Sequence, residues 1–496
     1  MSAADEPAQL GRAMVRGSAW MIASRWVLRL IGLVSTVVLA RVLTPADFGL
    51  VAMAMLVVGA VEVFGQTGQS HALLRMVEPT RQHYDTAWTF SVLIGAGVAL
   101  ILAFAAPVAA ALFDESRVET LLWCLALRPL MAGLQNVGIV DLQRALDFRR
   151  DQEIVVISKV AGFLVTIPLA VIAQSYWALV VGILAQGLAQ LALGYRYSAY
   201  RPRFSLACAR ELWSFSAWTL VIHINMYFAA KADEAVVGVS LGAASMGKYA
   251  IAGELASLPT QELVAPAARP LYAVYSRLVG DLDGMRGHYL TALSFVAMLA
   301  APVSTGVALV GGDAVRVVLG VQWIEAAPLM PWLALSAGAF GISGTASTVL
   351  LAAGHARVNA LRGALFVALL IPTAWLGVVM RGLEGAAMAR LAATLTIMPI
   401  IFLLLVRRLH IPPRALANAL WRPLLAAGLM AGAVTIAHPV MPALPPLRLA
   451  LEAVLGAVVY GAALGAGWWL AGRPDGPERT VLEAARRVPA LRGLMP

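Results

Sequence analysis

The chain has 496 residues, of which 60% are hydrophobic and only 13% are charged, and its mean hydropathy is +0.80. Soluble domains carry about a quarter charged residues, so this composition excludes a soluble enzyme or binding domain and indicates an integral membrane protein. The formal net charge of +10 would also suit a nucleic-acid-binding protein, but the distribution of the basic residues argues against that class.

Apolar stretches long enough to cross a bilayer recur from end to end of the chain. A helix needs about 20 residues to cross about 30 Å of hydrocarbon. Lys and Arg concentrate in alternate connecting segments, on the side of the N-terminus and of the C-terminal tail. The positive-inside rule then predicts that both termini are cytoplasmic, so the charge reports topology. Fourteen membrane helices are predicted, at 18–40, 48–68, 84–106, 119–139, 153–173, 176–195, 211–231, 246–268, 288–310, 326–352, 359–380, 384–406, 420–438 and 448–470.

Two arginines interrupt the first predicted helix, "SAWMIASRWVLRLIGLVSTVVLA" (18–40). Arg25 and Arg29 are one helical turn apart, so they lie on one face of the helix. An arginine at the centre of a membrane helix costs about 2.5–3.5 kcal/mol on insertion scales, and such residues usually mark a substrate or ion pathway. The alternative is a structural role, in which the arginines pair with an acidic neighbour such as Glu62 or with backbone carbonyls.

An early part of the chain matches a later part at a constant offset. The tripeptide SAW at 18–20 recurs at 216–218, and the same offset places Gly49 on Gly247. The match aligns predicted helices 1 and 2 with helices 7 and 8, although Ala and Gly are common enough here for coincidence. It indicates a parallel repeat of six helices with the substrate site at the interface of the halves. The predicted domains are an N-lobe (1–197), a C-lobe (198–410), the last two helices (411–470) and a basic cytoplasmic tail (471–496).

Several carboxylates in or beside the predicted helices are candidates for coupling transport to H⁺ or Na⁺. Burial favours the neutral form of a carboxylate, which can then exchange a proton, while helix capping or interhelical hydrogen bonding is the alternative role. Two prolines in predicted helix 8 are candidate hinges, because proline frees a backbone carbonyl and bends the helix. The carboxylates are Glu62, Asp233, Glu234, Glu254 and Glu262, and the prolines are Pro259 and Pro266.

The predicted connecting segments are short, and the sequence has no GxxxxGK[ST] phosphate-binding motif. A soluble catalytic domain and an ATP-driven pump within one chain are therefore not expected. The sequence instead favours a transporter that has no cofactor and no metal, with an H⁺ or Na⁺ gradient as the candidate driving force.

Two stretches of the chain resemble a known family. They are "LARVLTPADFGLVAMA" (39–54) and the region 231–278, in which "DEAVVG", "GKY", "LP" and "RPLYAVYSR" are the recognisable pieces, and "WALVVG" (177–182) adds to them. On these residues the chain resembles the Wzx-type polysaccharide flippases of the multidrug/oligosaccharidyl-lipid/polysaccharide exporter superfamily. The resemblance implies an all-α protein of the bacterial inner membrane, with two six-helix lobes around a central cavity. Two further C-terminal helices would form a groove for a lipid tail.

The same resemblance implies movement of an undecaprenyl-pyrophosphate-linked oligosaccharide from the cytoplasmic to the periplasmic leaflet by alternating access. The product would be an exopolysaccharide, a capsule or O-antigen, with a polymerase and a co-polymerase as partners. Arg25 and Arg29, together with Lys159 in predicted helix 5, are then candidate ligands of the pyrophosphate, because guanidinium groups stay charged and bind phosphate bidentately. Side chains that could contact sugars are Trp20, Trp218, His223, Tyr227 and Tyr249.

Three other functions stay open at this point. The first is a lipid II flippase, which is closely related to the polysaccharide flippases. A drug or organic-cation antiporter of the same superfamily would need an acidic cavity, which the arginine pair disfavours. A membrane polymerase or ligase that acts on the same glycolipid would usually carry a large periplasmic loop, and no predicted connecting segment is long enough for one.

Overall fold

The computed structural model describes residues 6–65, 73–74, 76, 78–145, 147–212, 217–278, 280–473 and 476–479. In these residues the regular secondary structure is helical, and none of them lies in a strand. The helices in chain order are α1 (Glu6–Val42), α2 (Pro45–Glu62), α3 (Arg81–Phe113), α4 (Arg117–Leu125), α5 (Leu127–Gly133), α6 (Val140–Arg144), α7 (Phe148–Ala173), α8 (Trp177–Tyr197), α9 (Ala209–Leu212), α10 (Ala217–Arg277), α11 (Leu282–Ala314), α12 (Met330–Ala352), α13 (Ala356–Arg408), α14 (Pro413–Ala437) and α15 (Pro445–Leu470).

Eleven helical segments of the described chain are long and apolar enough to cross a membrane. Two of them are much longer than one crossing: Leu220–Val264 has 45 residues and Ala356–Arg408 has 53. Each contains one glycine with non-helical backbone angles, Gly242 (φ 77°) and Gly382 (φ 61°). A left-handed φ is accessible to glycine without steric cost, so each break falls between two predicted spans. The all-α membrane fold is confirmed, while the number fourteen stays a prediction.

The fourth predicted span, 119–139, is not one helix. It divides into α4 and α5, which are separated at Ala126, and the helical run ends at Gly133. Pro129 has no N–H group to donate to the carbonyl four residues earlier, and its ring clashes with that carbonyl. The break therefore lies where the proline removes a helical hydrogen bond, and the prediction of one continuous helix here was wrong.

The quoted motif "LTPADFG" contains the start of α2. The Thr44 backbone N–H donates to Asp47 Oδ2 at 3.0 Å, and the Asp47 N–H donates to Thr44 Oγ1 at 3.2 Å. Pro45 occupies the first turn, where a missing N–H costs nothing. This capping box satisfies two backbone donors that a helix start leaves without a partner, which fixes where α2 begins.

The chain divides into two compact units, and α10 contributes residues to both. Unit 1 contains the residues up to Lys231 together with Gly238–Gly247. In it α1 packs on α7, α7 packs on α8, and α3 packs on α2, α4 and α5. A Cβ atom at Gly182 would lie 1.7 Å from Thr166 Oγ1, so the Thr166 side chain of α7 lies directly on the backbone of α8.

Within unit 1, the two glycines that the internal repeat matches lie against each other. A Cβ atom at Gly49 would lie 1.6 Å from the Ala243 carbonyl oxygen, and one at Gly247 would lie 2.0 Å from the Pro45 carbonyl oxygen. Neither position has room for a side chain without movement of the backbone. The N-terminal turn of α2 therefore crosses the Ala243–Gly247 segment of α10 at closest range.

Unit 2 contains Ala232–Val237 and the chain from Lys248 onward. In it α11 packs on α12, α14 and α15, and α12 packs on α13. Its main core includes the fully buried rings of Tyr275 and Tyr289. The Tyr460 hydroxyl of α15 donates to the Met298 carbonyl of α11 at 2.8 Å, so the last two helices are fixed to this unit. The predicted domain boundaries at 197, 410 and 470 stay predictions.

Candidate functional site

The three basic residues predicted to bind pyrophosphate lie on neighbouring helices of unit 1. The Arg149 guanidinium of α7 stacks over the Trp20 ring of α1 at 5.7 Å, and Leu39 of α1 clusters with Ala170 of α7. These two contacts show that α1 and α7 run in parallel with a fixed register. By interpolation between these contacts, Lys159 lies at about the height of Leu30 along α1.

Arg25, Arg29 and Lys159 are all half-buried. Arg25 is one turn below Arg29 on α1, so the three cations occupy about two helical turns of the α1–α7 pair. Trp20, a predicted sugar contact, is 40% exposed and lies under Arg149 at the start of this pair. A group of cations within two helical turns of a membrane protein is chemically suited to an anion of more than one charge.

Glu62 pairs with a residue that sequence reasoning did not select. Arg128 Nη1 of α5 donates to Glu62 Oε2 at 2.7 Å, and both side chains remain partly accessible. They line a cavity of about 510 Å³ that is bounded by α2, α3, α5 and α8. A Cβ atom at Gly95 of α3 would lie 2.5 Å from the Pro129 carbonyl oxygen, so the glycine brings α3 and α5 together at the cavity wall.

Three glutamines also line this cavity, Gln135 after α5 and Gln186 and Gln190 on α8. No side-chain amide of the three hydrogen-bonds to any residue in the described part of the chain. The spacing of four between Gln186 and Gln190, inside an otherwise apolar helix, is the signal from which the sequence could have identified them.

Tyr227 and His223, predicted sugar contacts on α10, lie half-buried in unit 1. The Tyr227 hydroxyl donates to the Leu56 carbonyl of α2 at 2.5 Å. A Cβ atom at Gly59 would lie 2.6 Å from the Tyr227 ring, so the ring lies directly on the backbone of α2. His223 Nδ1 is buried and has no hydrogen-bond partner in the parts of the chain that the structure describes.

Asp233 and Tyr249 belong to a buried network in unit 2. Arg390 Nη1 of α13 donates to Asp233 Oδ1 at 2.5 Å, and the Tyr249 hydroxyl donates to Oδ2 at 2.5 Å. Asp233 has no exposed surface and Tyr249 is 1% exposed. Both carboxylate oxygens of Asp233 are therefore engaged by protein donors, and Glu234 is buried beside it.

The other predicted residues of α10 lie in different surroundings. Glu254 is exposed, while Glu262 and Pro259 are half-buried. The helix continues through Pro259 and Pro266, and its non-helical residue is Gly242. The side chains of Trp218 and Pro266 lie outside the described residues. The roles assigned to all these residues from the sequence stay predictions.

A family model for polysaccharide biosynthesis proteins matches residues 38–328, which is more than half of the chain. The chain is 27% identical over 340 residues to the succinoglycan biosynthesis transport protein ExoT of Rhizobium meliloti, across 67% of this chain and 68% of that protein. It is 23% identical over 327 residues to the lipopolysaccharide biosynthesis protein WzxC of Escherichia coli, across 64% of this chain and 66% of that protein.

Among solved structures, the lipid II flippase MurJ in an inward closed conformation superposes with a TM-score of 0.75. The match covers 92% of this chain and 99% of that chain, at 13% sequence identity. At this identity the likeness concerns the fold alone, and it agrees with the all-α membrane architecture described above.

Proposed function

Because the chain belongs to the polysaccharide biosynthesis protein family, we propose that it carries a lipid-linked oligosaccharide across the membrane for polysaccharide assembly. The family match over residues 38–328 is the observation that carries this proposal, and it confirms the resemblance noted in the sequence. The transport and biosynthesis proteins of similar sequence support it. So do the eleven membrane-length helices of the described chain, which a membrane transporter requires.

The proposed cargo is an oligosaccharide repeat unit on undecaprenyl pyrophosphate, moved from the cytoplasmic to the periplasmic leaflet by alternating access. Arg25, Arg29 and Lys159 would hold the pyrophosphate, which carries about two negative charges through a region of low dielectric. Their placement within about two helical turns of the α1–α7 pair supports this role. Trp20, Trp218, His223 and Tyr227 remain the candidate contacts to sugar, while Tyr249, predicted with them, is buried against Asp233 in this structure.

The driving force would be an H⁺ or Na⁺ gradient, with no bound cofactor. Among the candidate carboxylates, Glu254 suits ion exchange better than Asp233 and Glu62, because it is exposed while those two already pair with arginines. Proposed partners are the surrounding lipid and the polymerase and co-polymerase of one export pathway. The proposed location is the bacterial inner membrane, with both termini in the cytoplasm.

The first test is to deplete the protein in its host and identify the accumulating lipid by mass spectrometry of the membrane extract. We expect a complete undecaprenyl-pyrophosphate oligosaccharide that stays protected from periplasmic enzymes. If lipid II accumulates instead, the protein transports lipid II and the proposed cargo is wrong. Sensitivity to cationic drugs without any accumulating glycolipid would contradict the proposal and favour an antiporter.

Complementation of the depleted cells then tests the pyrophosphate ligands. A charge-assisted hydrogen bond contributes about 1.5–3 kcal/mol, so Arg25→Ala and Arg29→Ala should each lower export by at least about tenfold. Arg41→Ala is the matched control, since Arg41 is exposed in the last turn of the same helix and should retain export. Full export by Arg25→Ala and Arg29→Ala, at equal protein levels on an immunoblot, would remove the assignment.

A further inference from the structure

The cavity of unit 1 has a polar lining that the packing of its helices does not require. Its volume of about 510 Å³ lies within the range of small-molecule sites, roughly 300–1,000 Å³. Gln135, Gln186 and Gln190 present amide groups that bond to no other described residue. An amide without a partner is costly in an apolar environment, so these half-buried amides need hydrogen-bonding partners inside the cavity, either water or a ligand.

The charges in the cavity balance each other. Glu62 supplies one carboxylate and Arg128 one guanidinium, joined by a hydrogen bond of 2.7 Å. That bond uses one of the five N–H donors of the guanidinium, which leaves donors for a ligand. A neutral site of this kind has no preference for phosphate, in contrast to the cations of α1 and α7.

The lining matches the chemistry of a carbohydrate. A hydroxyl group is at once a donor and an acceptor, and a glutamine amide offers both functions in one plane. Gln186 and Gln190 are one turn apart, so two amides face the cavity from the same side of α8. Ser91 of α3 also lines the cavity, where its hydroxyl donates to the Ala87 carbonyl and its oxygen can accept, and Ile94 and Val98 supply apolar surface for C–H groups.

We propose that this cavity is a saccharide-binding site that receives part of the glycan of the lipid-linked substrate, an inference that rests on the proposed function. Under the proposed topology the lining lies in the cytoplasmic half of the membrane, because α2 reaches Glu62 at its cytoplasmic end and α3 begins there. The glycan would enter this site when the substrate is loaded. The pyrophosphate would be held separately by Arg25 and Arg29.

Protection of an introduced thiol tests the site. The full-length protein, with Cys124 and Cys208 replaced by alanine, receives Gln190→Cys and is reconstituted in nanodiscs. Its alkylation rate by a maleimide is measured with two probes. One is the glycolipid purified from depleted cells, and the other is undecaprenyl pyrophosphate, which has no sugar. We expect the glycolipid to slow alkylation by at least about tenfold and undecaprenyl pyrophosphate to leave the rate unchanged.

Ser175→Cys is the matched control, since Ser175 lies in the connection between α7 and α8, in the same unit but outside the cavity. Its rate should not change with either probe, and Gln186→Cys provides a second position if Gln190→Cys does not fold. A thiol that neither probe protects would show a cavity filled by water alone and overturn the proposal. Equal protection by both probes would also overturn it, because the lipid part would then be the occupant. If depletion yields no glycolipid, the proposed function itself fails, an outcome distinct from both.

Discussion

Asp233 is fully buried in unit 2, and each of its carboxylate oxygens has a protein donor. A buried ion pair loses the hydration of both charges, so it is stable only as a complete set with its hydrogen bonds. Arg390 and Tyr249 complete that set. The arrangement favours a structural role for Asp233, in which it joins α10 to α13.

Removing one member of the Asp233–Arg390 ion pair should lower the free energy of unfolding, because the other charge stays buried without a partner. Arg390→Leu leaves the Asp233 carboxylate buried without its cation and should destabilise the protein by about 3–5 kcal/mol. Adding Asp233→Asn removes the remaining charge and should restore most of the loss. Tyr249→Phe, which deletes one hydrogen bond, should cost only about 1 kcal/mol.

Thermal unfolding of the detergent-purified variants measures these differences. An Arg390→Leu protein that unfolds at the wild-type temperature would show that the pair contributes little. A double variant no more stable than Arg390→Leu would show that the loss comes from packing and not from the unpaired charge.

Individual residues were easier to select from the sequence than their partners. Glu62, Arg25 and Arg29 stand out because charged residues are rare in apolar helices. The pairing of Glu62 with Arg128 could not be predicted, since the two residues are 66 positions apart and belong to different helices. The alternative in which Glu62 pairs with Arg25 or Arg29 of α1 is less favoured, because Glu62 already pairs with Arg128.

At the scale of elements, apolar length predicted the helices well and their interruptions poorly. The predicted spans that correspond to α7, α8, α14 and α15 are each one continuous helix in the structure. The break between α4 and α5 was missed because averaging over 119–139 hides a single proline. Gly242 and Gly382 each fall between two predicted spans, where the sequence predicts a connecting loop. In the structure each connection has only one residue with non-helical backbone angles.

The α7–α8 contact depends on the absence of a side chain at Gly182. Gly182→Ala places a methyl group where Thr166 Oγ1 now lies and should destabilise unit 1 by about 1–3 kcal/mol through overpacking. The control is Gly97→Ala in α3, where no atom lies within 4 Å of the new methyl group. That control should be neutral or stabilising by up to about 1 kcal/mol, because alanine favours helix over glycine.

The unfolding temperatures of Gly182→Ala and Gly97→Ala, measured in the same detergent, test this contact between α7 and α8. Equal stability of Gly182→Ala and Gly97→Ala would mean that α7 and α8 can separate without cost. Only a selective loss for Gly182→Ala agrees with the described contact.

At the scale of the whole molecule, the distribution of Lys and Arg predicts the orientation in the membrane. The basic segments alternate with neutral ones along the chain, and short basic segments stay in the cytoplasm. This reasoning needs only the order of the spans. It does not depend on where each helix begins.

Reporter fusions test that orientation. A green fluorescent protein after residue 496 should fluoresce, because this reporter matures in the cytoplasm. Alkaline phosphatase inserted at Ser175 should be active, because this enzyme folds only in the periplasm, and the same insertion at Phe204 should be inactive. Activity at Phe204 and none at Ser175 would invert the topology and with it the proposed direction of transport.

The contact of Gly49 with Gly247 limits how the sequence of the chain can vary. Gly49 meets the carbonyl of Ala243 and Gly247 meets that of Pro45, and the two contacts exchange under the offset that relates the repeats. Reciprocal contacts of this kind define the isologous interface of a twofold homodimer. The two segments therefore meet as two copies of one surface would meet across a twofold axis. Neither segment can change its glycine alone, because the new side chain would strike the main chain of the other segment.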